Sequence, residues 1–93
     1  MHSHTKGQRE AVSNLVQTVL RRDMGTFNPD RFRTWIKETD QRFGKVGLSL
    51  TFRISMRTVN FIIKEIRTKR VAFQFAASTR VPFDDGDVIM SLE

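Results

Sequence analysis

The side chains in this chain best equipped for chemistry are cations. Arg53, Arg57, Lys64, Arg67, Lys69 and Arg70 put six positive charges into eighteen residues, with Glu65 as the one acid among them. Guanidinium and ammonium groups at that density contact phosphates or carboxylates. Arg33 and Lys37, four residues apart in a helical stretch, would repel each other unless an anion lay between them, and they extend the same list. These eight residues are the candidate site for nucleic acid or for an acidic partner.

Catalysis finds no comparable support. The chain has no Cys, both of its His residues are His2 and His4 at the start, no Ser sits in a glycine-flanked elbow, and no glycine-rich phosphate loop is present. His2 and His4 lack the carboxylate or thiol that would turn them into a firm metal site. Asp84-Asp85-Gly86-Asp87 has neither the alternating ligands nor the closing Glu of a calcium loop, so it reads as an acidic turn. The expectation is a non-enzymatic protein with no cofactor and no metal.

Charge is unevenly spread along the chain. Of sixteen Lys and Arg, fifteen fall in residues 1–70 with six acids, a net +9, whereas the last 23 residues hold Arg80 against Asp84, Asp85, Asp87 and Glu93, a net −3. A basic segment of this kind attracts polyanions or acidic protein surfaces. The expected partners are therefore DNA or RNA, read with little base specificity, or alternatively an acidic protein surface on which the chain docks as an inhibitor or adaptor. A solvated face whose charges keep a sheet edge from aggregating is the plainer reading of the same residues. The final strand, Val88–Leu92, is a natural edge and predicts a homodimer.

Ninety-three residues, 39% of them hydrophobic, suffice for one core but not for a core plus an enclosed substrate cavity. No run approaches the roughly 18 apolar residues of a membrane span, and the polar start has no signal-peptide core. With zero Cys, the chain reads as cytoplasmic or nuclear, neither secreted nor membrane-bound.

The elements that must position the cations follow from periodicity. Residues 1–5 read as a flexible tail and 6–93 as one α+β domain. Thr5 and Gln8 have the spacing of a capping box, and Val12, Leu15, Val16, Val19 and Leu20 line one helical face that Gly25 ends. Asn28, Pro29 and Asp30 open a second helix, which Phe27 staples and whose apolar stripe of Phe32, Trp35, Ile36 and Phe43 stops at Gly44. Leu48, Leu50, Phe52, Ile54 and Met56 then alternate with polar residues, as a half-wet strand requires. Residues 59–66 read as a strand that pairs back on it, bringing Lys64 and the Arg67–Arg70 turn towards Arg53 and Arg57. The helical stripe Val59, Ile62, Ile63, Ile66 leaves open a helix over 59–68 and a βαβ unit. Val71, Phe73 and Phe75 share one face of a further strand and read as core rather than as rings for base stacking. The expected architecture is two N-terminal amphipathic helices packed on one face of a three- to four-stranded antiparallel sheet.

Overall fold

The computed structural model describes residues 4–21, 29–55 and 57–78. They form helix α1 (Lys6–Arg21), helix α2 (Pro29–Gly44) and strands β1 (Leu48–Ser55), β2 (Thr58–Glu65) and β3 (Val71–Ser78). The Gly25 stop, the Asn28 cap and Phe27 staple, the acidic turn at 84–87 and the dimerising strand Val88–Leu92 lie outside the described residues.

Helix α1 begins where two side chains satisfy each other's backbone. The Thr5 N–H donates to Gln8 Oε1, and the Gln8 N–H donates to Thr5 Oγ1, both at 3.1 Å. This reciprocal capping box pairs two amides that helix geometry leaves orphaned. Helix α2 carries Asp30 in its first turn and Arg42 in its last, both on the favourable ends of the macrodipole. Thr39 interrupts the apolar stripe of α2 yet is buried, because its hydroxyl donates back to the Trp35 carbonyl at 2.8 Å. After Gly44 the chain tightens through short turns, and Gly47 adopts φ +80, a left-handed conformation that disfavours any side chain.

The strands form a meander in the order β1-β2-β3, antiparallel throughout. Rows across the sheet read Leu50, Ile63, Phe73 and then Phe52, Phe61, Phe75 on the inner face. The alternate residues, such as Arg53 opposite Asn60 opposite Ala76, stand on the outer face. Between Ile63 and Lys64 the register slips by one residue, so that Lys64 faces Val71 and Ala72 is the extra residue of a bulge. The bulge overturns the expectation that Val71 shares a face with Phe73 and Phe75: Val71 pairs with Lys64 and is 52% exposed.

The expected architecture needs two corrections. The helix over 59–68 and its βαβ unit are ruled out, because every residue from Thr58 to Glu65 pairs with β1 and all but Glu65 of that stretch lie within the ladder to β3. A central strand with Val59, Phe61 and Ile63 buried on one side gains two ladders, which a lone helix would forfeit. The sheet has three strands among the described residues, within the expected three to four, and the expected fourth, Val88–Leu92, lies outside them. The two helices also do not share one sheet face equally: α2 lies along β1, while α1 sits farther out against α2 and β3. The result is an α+β arrangement of two helices followed by a three-stranded antiparallel sheet.

Aromatic contacts lock α2 onto the sheet. Phe32 meets Phe52 edge-on at 5.3 Å, Trp35 meets Phe61 edge-on at 6.2 Å, and Phe61 stacks on Phe75 at 4.9 Å. Phe61 is fully buried, whereas Trp35 is half-buried at the margin of the core. Leu15 and Val19 bring α1 into the same cluster. Asp40, which the sequence shows only as a helix-surface acid, accepts the Leu50 N–H at 2.8 Å and so occupies an outward-facing amide of edge strand β1. Two outcomes follow in thermal or denaturant unfolding. Phe61→Ala costs about 3–5 kcal/mol. Asp40→Ala costs about 1–3 kcal/mol, most of which Asp40→Asn restores because the amide keeps an acceptor oxygen.

Candidate functional site

The antiparallel register divides the eight predicted residues into three groups. Arg57 lies in the β1–β2 turn, with Arg53 nearby on the outer face of β1. Lys64 ends the outer face of β2, and Arg67, Lys69 and Arg70 follow in the β2–β3 turn at the opposite end of the sheet. The eight residues of β2 separate the two turns by seven steps, or about 23 Å at about 3.3 Å per step. The expectation that strand pairing would bring Arg53 and Arg57 together with the Arg67–Arg70 turn is thereby corrected, since successive turns of a meander alternate between ends. Arg33 and Lys37 form the third group. They belong to α2, which packs on the inner face, so the sheet stands between them and the outer-face cations.

What the fold does bring together is the β2–β3 turn, the α2–β1 turn and the first turn of α1. The Ile66 N–H donates to the Gly47 carbonyl at 2.9 Å, and Gln8 Nε2 donates to the Val46 carbonyl at 2.9 Å. Gly7 comes so near Val46 that a Cβ there would stand 3.4 Å from its Cγ1. A shallow hollow of about 530 Å³ opens where the three meet, lined by Thr5, Gln8, Gly44, Gly47, Glu65, Ile66 and Arg67. This junction adds Lys6, Arg9 and Lys45, all exposed, to Lys64, Arg67, Lys69 and Arg70. Sequence reasoning missed those three because no spacing links residues 6–9, 45 and 64–70. The one available signal was the Thr5–Gln8 box, which marks where α1 starts but not what it touches.

The three segments joined at this end thus carry seven cations with two carboxylates among them. Both carboxylates have partners: Glu10 stands 3.9 Å from Lys6, and Glu65 Oε1 accepts the Thr68 hydroxyl at 2.8 Å. The Lys6–Glu10 pair is exposed and contributes little to stability. The turn itself is held firmly. The Glu65 N–H donates to the Arg70 carbonyl and the Lys69 N–H to the Glu65 carbonyl, both at 2.8 Å, with Lys69 in the left-handed region at φ 61. A cation on so constrained a backbone is positioned in advance of any partner, which lowers the ordering cost of contact. Ile66 and Val71, both about half exposed, flank the same turn.

His4 also lies at this end. Its ring rests 4.4 Å from that of Phe73, and its carbonyl accepts Arg9 Nη1 at 2.8 Å. His2 lies outside the described residues. Among the described residues, no helix is long and apolar enough to cross a membrane. Comparison of the chain with models of protein families, with curated proteins and with solved structures found no match. The junction gives one stability prediction. Gln8→Ala removes an acceptor from the Thr5 amide and a donor from the Val46 carbonyl together, and calorimetry should register a loss of about 1–3 kcal/mol.

Proposed function

We propose that the protein binds nucleic acid as a non-enzymatic partner, with little base specificity, through phosphate contacts made by the basic end of the molecule. The observation that supports this reading is the convergence of Lys6, Arg9, Lys45, Lys64, Arg67, Lys69 and Arg70 around three hydrogen-bonded turns, where the two neighbouring carboxylates are already engaged. Lys and Arg clustered on one face are the electrostatic footprint of such proteins, and each phosphate neutralised releases counterions. Arg67, Lys69 and Arg70 are the principal contacts, Lys64 supports them from the strand, and Arg33 and Lys37 on α2 lie outside this surface. A role of this kind places the protein in the cytoplasm or nucleus.

A second reading, docking on an acidic protein surface, is favoured by one specific feature. Ile66 and Val71 are the large apolar side chains that remain about half exposed among the described residues, and they sit beside the basic turn. Protein interfaces commonly surround an apolar centre with a charged rim.

Titration of fluorescent duplex DNA at two salt concentrations separates the readings. Nucleic-acid binding gives an affinity that falls steeply with salt, and the triple change Arg67→Glu, Lys69→Glu, Arg70→Glu abolishes it. Neutral Gln at the same three positions lowers the slope of log K against log salt by about 2–3, since each lost phosphate contact removes about 0.9. Absence of binding even at low salt would instead favour a protein partner, with the exposed Ile66 and Val71 at its centre.

A further inference from the structure

We infer that the phosphate contacts do not stop at the basic end: a nucleic-acid backbone continues from the β2–β3 turn along the outer face of the sheet to Arg53 and Arg57. The inference rests on the nucleic-acid reading above and adds a path and a length to it. Its basis is the composition of that face. Arg53 and Lys64 are the charged residues of the outer face among the described residues, and no described position there carries a carboxylate. Around them stand short or uncharged side chains, including Asn60, Gln74 and Ala76. Both helices pack on the inner side of the sheet.

The register supplies the geometry. Arg53 lies opposite Asn60, and Lys64 follows four residues later on β2, so the two stand about 13 Å apart along the strand. The turns beyond them, holding Arg57 at one end and Arg67 to Arg70 at the other, stretch the cationic row to about 23 Å. At about 3.4 Å per base pair, a duplex must be about seven base pairs long to reach both ends at once. A shorter duplex engages one end only. Two linked contacts raise overall affinity beyond either alone, provided that the ligand spans them. Arg53 is exposed on β1, and Gln74, Ala76 and Ser78 are exposed on β3 at the far side of β2, so the path is accessible on the β3 side.

The test compares duplex DNA of about five and about twelve base pairs, a length below and a length above the span, against the full chain at one fixed low salt concentration. The expected result is a gain in affinity for the longer duplex well beyond the larger number of registers that it offers. In Arg53→Glu with Arg57→Glu, that gain disappears, affinity for the long duplex falls about tenfold or more, and the salt slope drops by about 2. Affinity for the short duplex stays the same, since it is held at the other end. Arg53→Gln with Arg57→Gln gives the same pattern more weakly, and an unchanged thermal melt in that variant shows that the strand is intact. Single strands behaving in the same way support the path equally, because the phosphodiester chain is what it contacts. Binding of both duplexes with no length-dependent gain, or with a gain that survives both Arg53/Arg57 variants, overturns the inference and leaves the nucleic-acid reading standing. No binding to any nucleic acid at low salt overturns both.

Discussion

The pairing register of β2 is the constraint on which the rest of this structure depends. Among the described residues it is the strand with a neighbour on each side, and the rows Leu50, Ile63, Phe73 and Phe52, Phe61, Phe75 pass through it. A slip of one residue would turn Val59, Phe61 and Ile63 to the outer face and drive Asn60 and Lys64 into the core. Burying an unpaired ammonium costs far more than a strand of this length gains from its ladder, so the register is specified on both faces at once. The aromatic chain from Trp35 through Phe61 to Phe75 and the edge-on pair of Phe32 and Phe52 then fix where α2 lies.

That same register arranges charge. A meander sends successive turns to opposite ends of the sheet, so Arg57 and the Arg67–Arg70 turn are separated by the length of β2. The second of these turns meets the α2–β1 turn and the start of α1, which the Ile66–Gly47 and Gln8–Val46 hydrogen bonds hold together. Like charges gathered in this way repel, and the repulsion favours either a counterion atmosphere or a polyanion that displaces it. The backbone bonds of the turn resist that repulsion without using the side chains of Arg67, Lys69 and Arg70.

Two local departures from regularity adapt the sheet to this arrangement. The bulge at Ala72 turns Val71 to the outer face beside Lys64, where it lies near the turn cations and adds to the exposed apolar surface there. Asp40 takes the Leu50 amide at the β1 edge, which blunts a row of donors that would otherwise invite pairing with another strand. Neither feature follows from hydrophobic periodicity. A bulge depends on how two strands are fitted to each other, and the Asp40 contact joins residues on different elements.

The sequence by itself determined both helices and strand β1 with their inward faces. The Thr5–Gln8 box, the stripe Phe32, Ile36, Phe43 and the alternation from Leu48 to Ile54 each rest on interactions within a few residues, where spacing alone decides what faces what. It left residues 59–66 open between strand and helix because Val, Ile and Phe at those positions suit both periods, and only pairing on two sides decided for strand. It also ranked the cations by local density, which picked out Arg67, Lys69 and Arg70 but set Arg53 and Arg57 beside them and passed over Lys6, Arg9 and Lys45. Tertiary structure alone decided which charges are neighbours. Electrostatic proximity is a distance in space, and here it is set by the direction of each turn and by two hydrogen bonds between segments about 20 to 40 residues apart in the chain.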